Sequence, residues 1–138
     1  MLRDSQTGLY HQEFFNELLA FEKKRCGRSE GLVLLMLADL SYFRDASERQ
    51  QLAKSIMDAL SEVIRDTDVK GWHVKGSVIG IMFAEMGNTP TSPYVQSHIE
   101  NKCLRRLCSH LGPERFSRIQ ISWQLLNSGN ILDIHKVV

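Results

Sequence analysis

The sequence predicts one α/β domain, a sandwich in which a central mixed β-sheet is flanked by helices. Three observations predict it. The chain has 138 residues, the usual length of a single hydrophobic core. Its apolar residues switch repeatedly between helical and strand periodicity. An unbroken apolar run, Leu32 to Ala38, is of the kind found in a central strand buried on both faces. The order α, β, α, β-hairpin, α, β fits such a sandwich, and the hairpin requires at least one antiparallel pair in the sheet.

The first helix is expected over about Gln12 to Lys24, where Phe14, Phe15, Leu18 and Leu19 share a face and Glu13, Glu17 and Lys24 lie opposite. The polar stretch Gly27–Gly31 ends it. The central strand follows, with Asp39 at its carboxyl end, where open α/β sheets place ligand-handling residues. Leu52, Ile56, Leu60, Val63 and Ile64 predict a second helix from Leu52 to Arg65. Two β-prone runs, Val69–Val74 and Val78–Phe83, are joined by Lys75-Gly76-Ser77 and read as a hairpin. After a Gly/Pro-rich loop, a third helix spans Tyr94 to His110 and Gly112-Pro113 stops it. Ile119–Trp123 alternates as a strand, and Asn127–Asn130 turns the chain into a last strand, Ile131–Val137.

Composition excludes several classes. Lys+Arg number 17 and Asp+Glu 16, a net charge of +1, which lacks the basic excess of a nucleic-acid or anionic-membrane binder. The longest apolar run is too short to span a bilayer, and the N-terminus has no apolar core of a secretory signal. Three cysteines form no disulfide framework, so the expected location is the cytoplasm. On a helix Cys103 and Cys108 point about 140° apart, which defeats a zinc site with His98 and His110.

Five stretches, in order, resemble the GGDEF family of diguanylate cyclase domains. Arg3-Asp4-Ser5-Gln6-Thr7-Gly8-Leu9 and the residues to Phe15 are similar to the family's opening D-x-L-T-G-L-x-N-R-R-x-F. Asp39-Leu40-Ser41-Tyr42-Phe43-Arg44 resembles its D-x-D-x-F-K segment. Arg65-Asp66-Thr67-Asp68 stands at its R-x-x-D inhibitory site, and Lys75–Ile79 at its signature pentapeptide. Ile119–Leu125 resembles its closing strand.

The resemblance implies that an active member would hold two metal ions with the strand-end Asp and an acidic pentapeptide residue. Here Asp39 is present, but Ser77 and Val78 stand at the acidic positions and Lys75 replaces one glycine. Mg²⁺ needs anionic oxygens from several directions, so Asp39 is expected to be vestigial and the chain to have no catalytic residues, metal or cofactor. The family's guanine-reading Asn and Asp fall at Ser47 and Glu48, and nothing beyond Leu126 matches its last helix.

The R-x-x-D pair needs no metal, and the resemblance implies cyclic di-GMP as its ligand. Arg65 offers a planar fork suited to a guanine O6/N7 edge or a phosphate, and Asp68 can accept from guanine N–H groups. Lys70, Trp72 and His73 lie next to them as neighbours that would stack on or neutralise a dinucleotide, although six residues, not the family's five, separate Asp68 from the pentapeptide. An R-x-x-D pair also arises by chance, and Arg at a helix end is favourable through the dipole alone. The leading expectation is an inactive receptor that relays to a protein partner or to an adjoining sensory or membrane segment, in exopolysaccharide production or another biofilm-related process. The chain would then be a piece of a larger protein or an adaptor. The alternatives are a ligand-free interaction module, and a cyclase that recruits a second carboxylate such as Glu85.

Overall fold

A computed structural model describes residues 2–26, 33–84, 93–127 and 130–137. The element order is α1 (Gln12–Cys26), β1 (Val33–Asp39), α2 (Ala46–Ala59), β2 (Val69–Val74), β3 (Val78–Phe83), α3 (Pro93–Leu111), α4 (Pro113–Ser117), β4 (Gln120–Asn127) and β5 (Asn130–Val137). The five strands form one sheet in the order β2-β3-β1-β4-β5.

Every neighbouring pair in that sheet is antiparallel, which corrects the expectation of a mixed sheet. The strands joined by helices do run parallel, β1 with β2 and β3 with β4. In each case another strand is inserted between them: β3 in the first, β1 in the second. This split β-α-β arrangement keeps the crossovers but removes parallel neighbours.

Strand alternation divides the core into two layers. From β1, Leu34, Met36 and Ala38 join one cluster with Leu52 and Ile56 of α2 and Cys103 and Leu107 of α3. Val33 and Leu35 face the other way, onto Phe15 and Leu19 of α1. The central strand is therefore apolar without alternation because both its faces are covered.

Two helical boundaries depart from the sequence reading. α2 starts at Ala46, where the Asp45 side chain caps it by accepting from the Glu48 N–H at 3.3 Å. The first turns carry no buried apolar side chain before Leu52, so no apolar periodicity marks them. The helix ends at Ala59, and Leu60, Val63 and Ile64 continue the apolar spacing in a run of turns. Arg65 therefore lies in a loop and does not end a helix. The short α4 was not expected; Gly112, at φ +87°, turns the chain so that Pro113 can open a new helix. No helix among the described residues is long and apolar enough to cross a membrane.

Candidate functional site

The opening segment is a local scaffold. The Asp4 carboxylate accepts from the Gln6 N–H at 3.0 Å, the Thr7 hydroxyl at 2.9 Å and Gln50 Nε2 of α2 at 2.6 Å. Burial pushes its pKa up, but hydrogen bonds from Gln50, the Gln6 backbone, Thr7 and Trp72 outweigh it and hold the carboxyl below its ordinary value. Gly8 closes the turn at φ +76°. The chain then meets the open edge of β2: Tyr10 donates its N–H to Lys70 O at 3.1 Å and accepts from the Trp72 N–H at 2.9 Å. A sheet edge that would otherwise be free is thereby covered.

That contact brings the N-terminal segment beside the R-x-x-D residues. Arg3, Tyr10, Ser61, Ile64, Arg65, Asp66, Asp68 and Lys70 line a groove of about 270 Å³. The Arg3 guanidinium lies 4.5 Å over the Tyr10 ring and donates to its hydroxyl at 2.9 Å. Arg3 and Tyr10 are groove residues that sequence reasoning missed. They belong to the opening motif, but only the β2-edge pairing places them here.

Within the groove Arg65 and Asp68 play unequal parts. The Asp68 side chain has no exposed surface, whereas 54% of that of Arg65 is exposed. One Asp68 oxygen accepts from the Arg65 N–H at 2.8 Å, and the other from the Ala84 N–H at 2.9 Å. The Arg65 Nη2 lies 3.5 Å from the latter oxygen and donates to the carbonyl oxygen of Ala84. The pair thus clasps both peptide groups of Ala84, just past β3. The expectation that Asp68 reads guanine N–H groups is corrected: its oxygens are shielded and already engaged by backbone donors.

The neighbours divide as well. Lys70 lies on the groove. Trp72 is buried in the main core cluster, so it offers no face for stacking, which corrects its expected role. His73 is corrected too. A bulge between Trp72 and Val74 gives β2 one residue more than β3, which absorbs the additional residue noted in the sequence. The His73 ring turns to α1, with Nδ1 2.8 Å from Asn16 Oδ1 and the ring edge-on to Phe15. Burial, with a smaller contribution from the Lys23 charge, lowers its pKa below 6.5.

Asp39 stands opposite Val78 across β1 and β3, as the resemblance requires. Its Oδ1 accepts from the Ser41 N–H at 2.9 Å, an Asx turn of the kind a strand-end carboxylate makes locally. Between that loop and the hairpin lies Arg49 of α2, which was also missed. Its guanidinium donates to Phe43 O at 2.7 Å and to Gly76 O at 2.8 Å, joining the post-β1 loop to the hairpin turn. Among the described residues no three His, Cys, Asp or Glu side chains are placed to hold a metal ion; Glu85 lies outside the described residues. Cys103 is wholly buried, and burial, with the Asp68 and Glu100 charges, pushes its thiol up to about 12.

No protein-family model matches the chain, and no curated protein matches its sequence. Solved structures do match. The GGDEF domain of DgcB from Caulobacter crescentus, in complex with c-di-GMP, superposes with a TM-score of 0.61 at 13% identity, over 90% of this chain and 75% of that one. A sensory box/GGDEF family protein from Caulobacter crescentus CB15 gives 0.60 at 14% identity, over 99% of this chain and 80% of the other. The fold is therefore GGDEF-like.

Proposed function

We propose that this GGDEF-like domain is a non-catalytic receptor for cyclic di-GMP, with Arg65 as the residue that grips the ligand. The observation that carries the proposal is the half-exposed Arg65 guanidinium, held by its clasp at the mouth of a groove shared with Arg3 and Lys70. Three cations and two carboxylates, Asp66 and Asp68, line the groove, a net positive charge that favours an anionic ligand such as a phosphodiester. A solved domain of the same fold holds this dinucleotide. Asp68 is assigned a positioning part: it fixes the Arg65 backbone and keeps the guanidinium aimed. Loss of cyclase chemistry is supported by Ser77 and Val78 at the acidic positions and by the Arg49 bridge between loop and hairpin. The bound state would be relayed to a protein partner or an adjoining sensory or membrane segment, and the process proposed for it is exopolysaccharide production or another biofilm-related one.

Titration calorimetry with cyclic di-GMP tests the reading. Wild type should give heat with a submicromolar to micromolar Kd, and Arg65→Ala should give none. A second reading, a ligand-free interaction module, is favoured by the full engagement of Asp68 and by the exposed apolar side chains of Leu2 and Phe21. Wild type without heat would leave that reading standing.

A further inference from the structure

Arg3 is an exposed side chain that is nevertheless tethered at three points. Its backbone bridges to Tyr10. Its guanidinium lies over the Tyr10 ring, with Cζ 4.5 Å from the centroid, and Nη2 donates to the Tyr10 hydroxyl at 2.9 Å. Tyr10 is itself fixed, by its backbone bonds to Lys70 and Trp72 on the β2 edge and by the Phe14 ring, which meets its ring edge-on with centroids 4.8 Å apart. One face of the guanidinium is thus covered by Tyr10. The other is open, on the wall of the groove that also carries Arg65 and Lys70.

We infer that Arg3, backed by Tyr10, is a stacking platform for a guanine base of the ligand, which lies on the open guanidinium face as the third layer of a base–arginine–tyrosine pile. The inference rests on the cyclic di-GMP reading above and adds the residue that takes the face of the base. The two arginines then do different chemistry. Arg65 spends one N–H on the Ala84 carbonyl and offers its remaining donors in plane, to a base edge or a phosphate oxygen. Arg3 meets the π-face, and a planar, weakly hydrated cation loses little in being covered by a base. Because Tyr10 holds the guanidinium in place before the ligand arrives, less side-chain freedom is lost on binding. A lysine at position 3 would keep the charge but has no plane to stack, so the identity of this cation is specific to the contact.

The experiment is calorimetry with cyclic di-GMP on the whole chain, comparing wild type, Arg3→Ala and Arg3→Lys, alongside NMR of the wild-type Arg3 side-chain Nε–H. Arg3→Ala should bind about tenfold more weakly, the scale of one lost base stack. Arg3→Lys should lose nearly as much, and the Arg3 Nε–H should move upfield on binding under the ring current of the base. Thermal melts of both variants should match wild type, since Arg3 lies outside the core. Arg3→Lys with wild-type affinity overturns the stack, because a bare charge would then suffice. A downfield shift of Nε–H, the mark of a new bond to an oxygen, overturns it as well. Heat from wild type with Arg3→Ala unchanged removes Arg3 from the site and leaves the receptor reading intact. Absence of heat from wild type overturns that reading and the stack together.

Discussion

Gly71 on β2 and Gly80 on β3 are direct cross-strand partners, and the Phe15 ring lies across both. A Cβ at Gly71 would come 2.6 Å from Phe15 Cδ1, and one at Gly80 2.5 Å from Phe15 Cζ. Two facing glycines thus make a notch in the sheet that lets α1 approach closely. The ring is fully buried and cannot move into solvent. Gly80→Ala is therefore expected to cost about 1–3 kcal/mol through overpacking. Denaturant melts check this, and the smaller Phe15→Leu side chain in the double variant should recover part of the loss.

Arg65 and Asp68 should separate cleanly when stability and binding are measured on the same variants. Arg65 is half-exposed and its ion pair is long, so Arg65→Ala should cost less than about 1 kcal/mol of stability while abolishing binding. Asp68 accepts two backbone N–H groups in a buried place. Asp68→Asn has only one acceptor oxygen to offer them, so one donor is left unpaired at a cost of about 1–3 kcal/mol. Its binding defect should be smaller than that of Arg65→Ala. Equal losses of affinity at folded concentrations would return Asp68 to the role of a ligand contact.

The legible and illegible parts of this molecule differ by range. The limits of Val69–Val74 and Val78–Phe83 are legible because a β-prone run, a glycine turn and a second run are local signals. The first turns of α2 were missed because Ser47, Glu48 and Gln51 face solvent and carry no apolar rhythm. Strand order is a tertiary property, so the insertion of β3 between β1 and β2 leaves no local signal, and a hairpin with helical crossovers reads as a mixed sheet. The site shows the same division. R-x-x-D is visible in four residues, but its engagement with Ala84, 16 positions after Asp68, is not. Arg49 meets Gly76 across 27 positions and has no sequence signature at all.

Acid should weaken the N-terminal scaffold through Asp4. Its pKa in the fold is below the ordinary 3.8 because Gln50, the Gln6 backbone, Thr7 and Trp72 together outweigh burial. A group with a depressed folded pKa contributes stability that is fully present above its unfolded value and is lost as pH falls through the folded one. Asp4→Asn keeps one acceptor oxygen and should lose about 1 kcal/mol at pH 7. The gap between variant and wild type should stay constant down to about pH 5 and close below pH 3.8 as the wild-type carboxyl protonates. Melting curves across that range read it directly, and a gap that widens in acid would contradict the assignment of those hydrogen bonds.

Restoring carboxylates to the hairpin should not by itself create a cyclase. Phosphoryl transfer between nucleotides needs metal ions clamped over the phosphates. Ser77→Asp with Val78→Glu would return acidic groups beside Asp39, since Val78 is its partner across the sheet. The space between the hairpin turn and the post-β1 loop would still be spanned by Arg49, bonded to Phe43 O and Gly76 O. Asp39 would still spend one oxygen on the Ser41 N–H. Wild type and the double variant are both expected to leave GTP unconsumed in the presence of Mg²⁺, measured by nucleotide chromatography. Adding Arg49→Ala removes the bridge, and a GTP-dependent thermal shift appearing only in that triple variant would identify Arg49 as the residue that closes the cleft. Product formation by wild type would instead show that a carboxylate outside the described residues completes a working site.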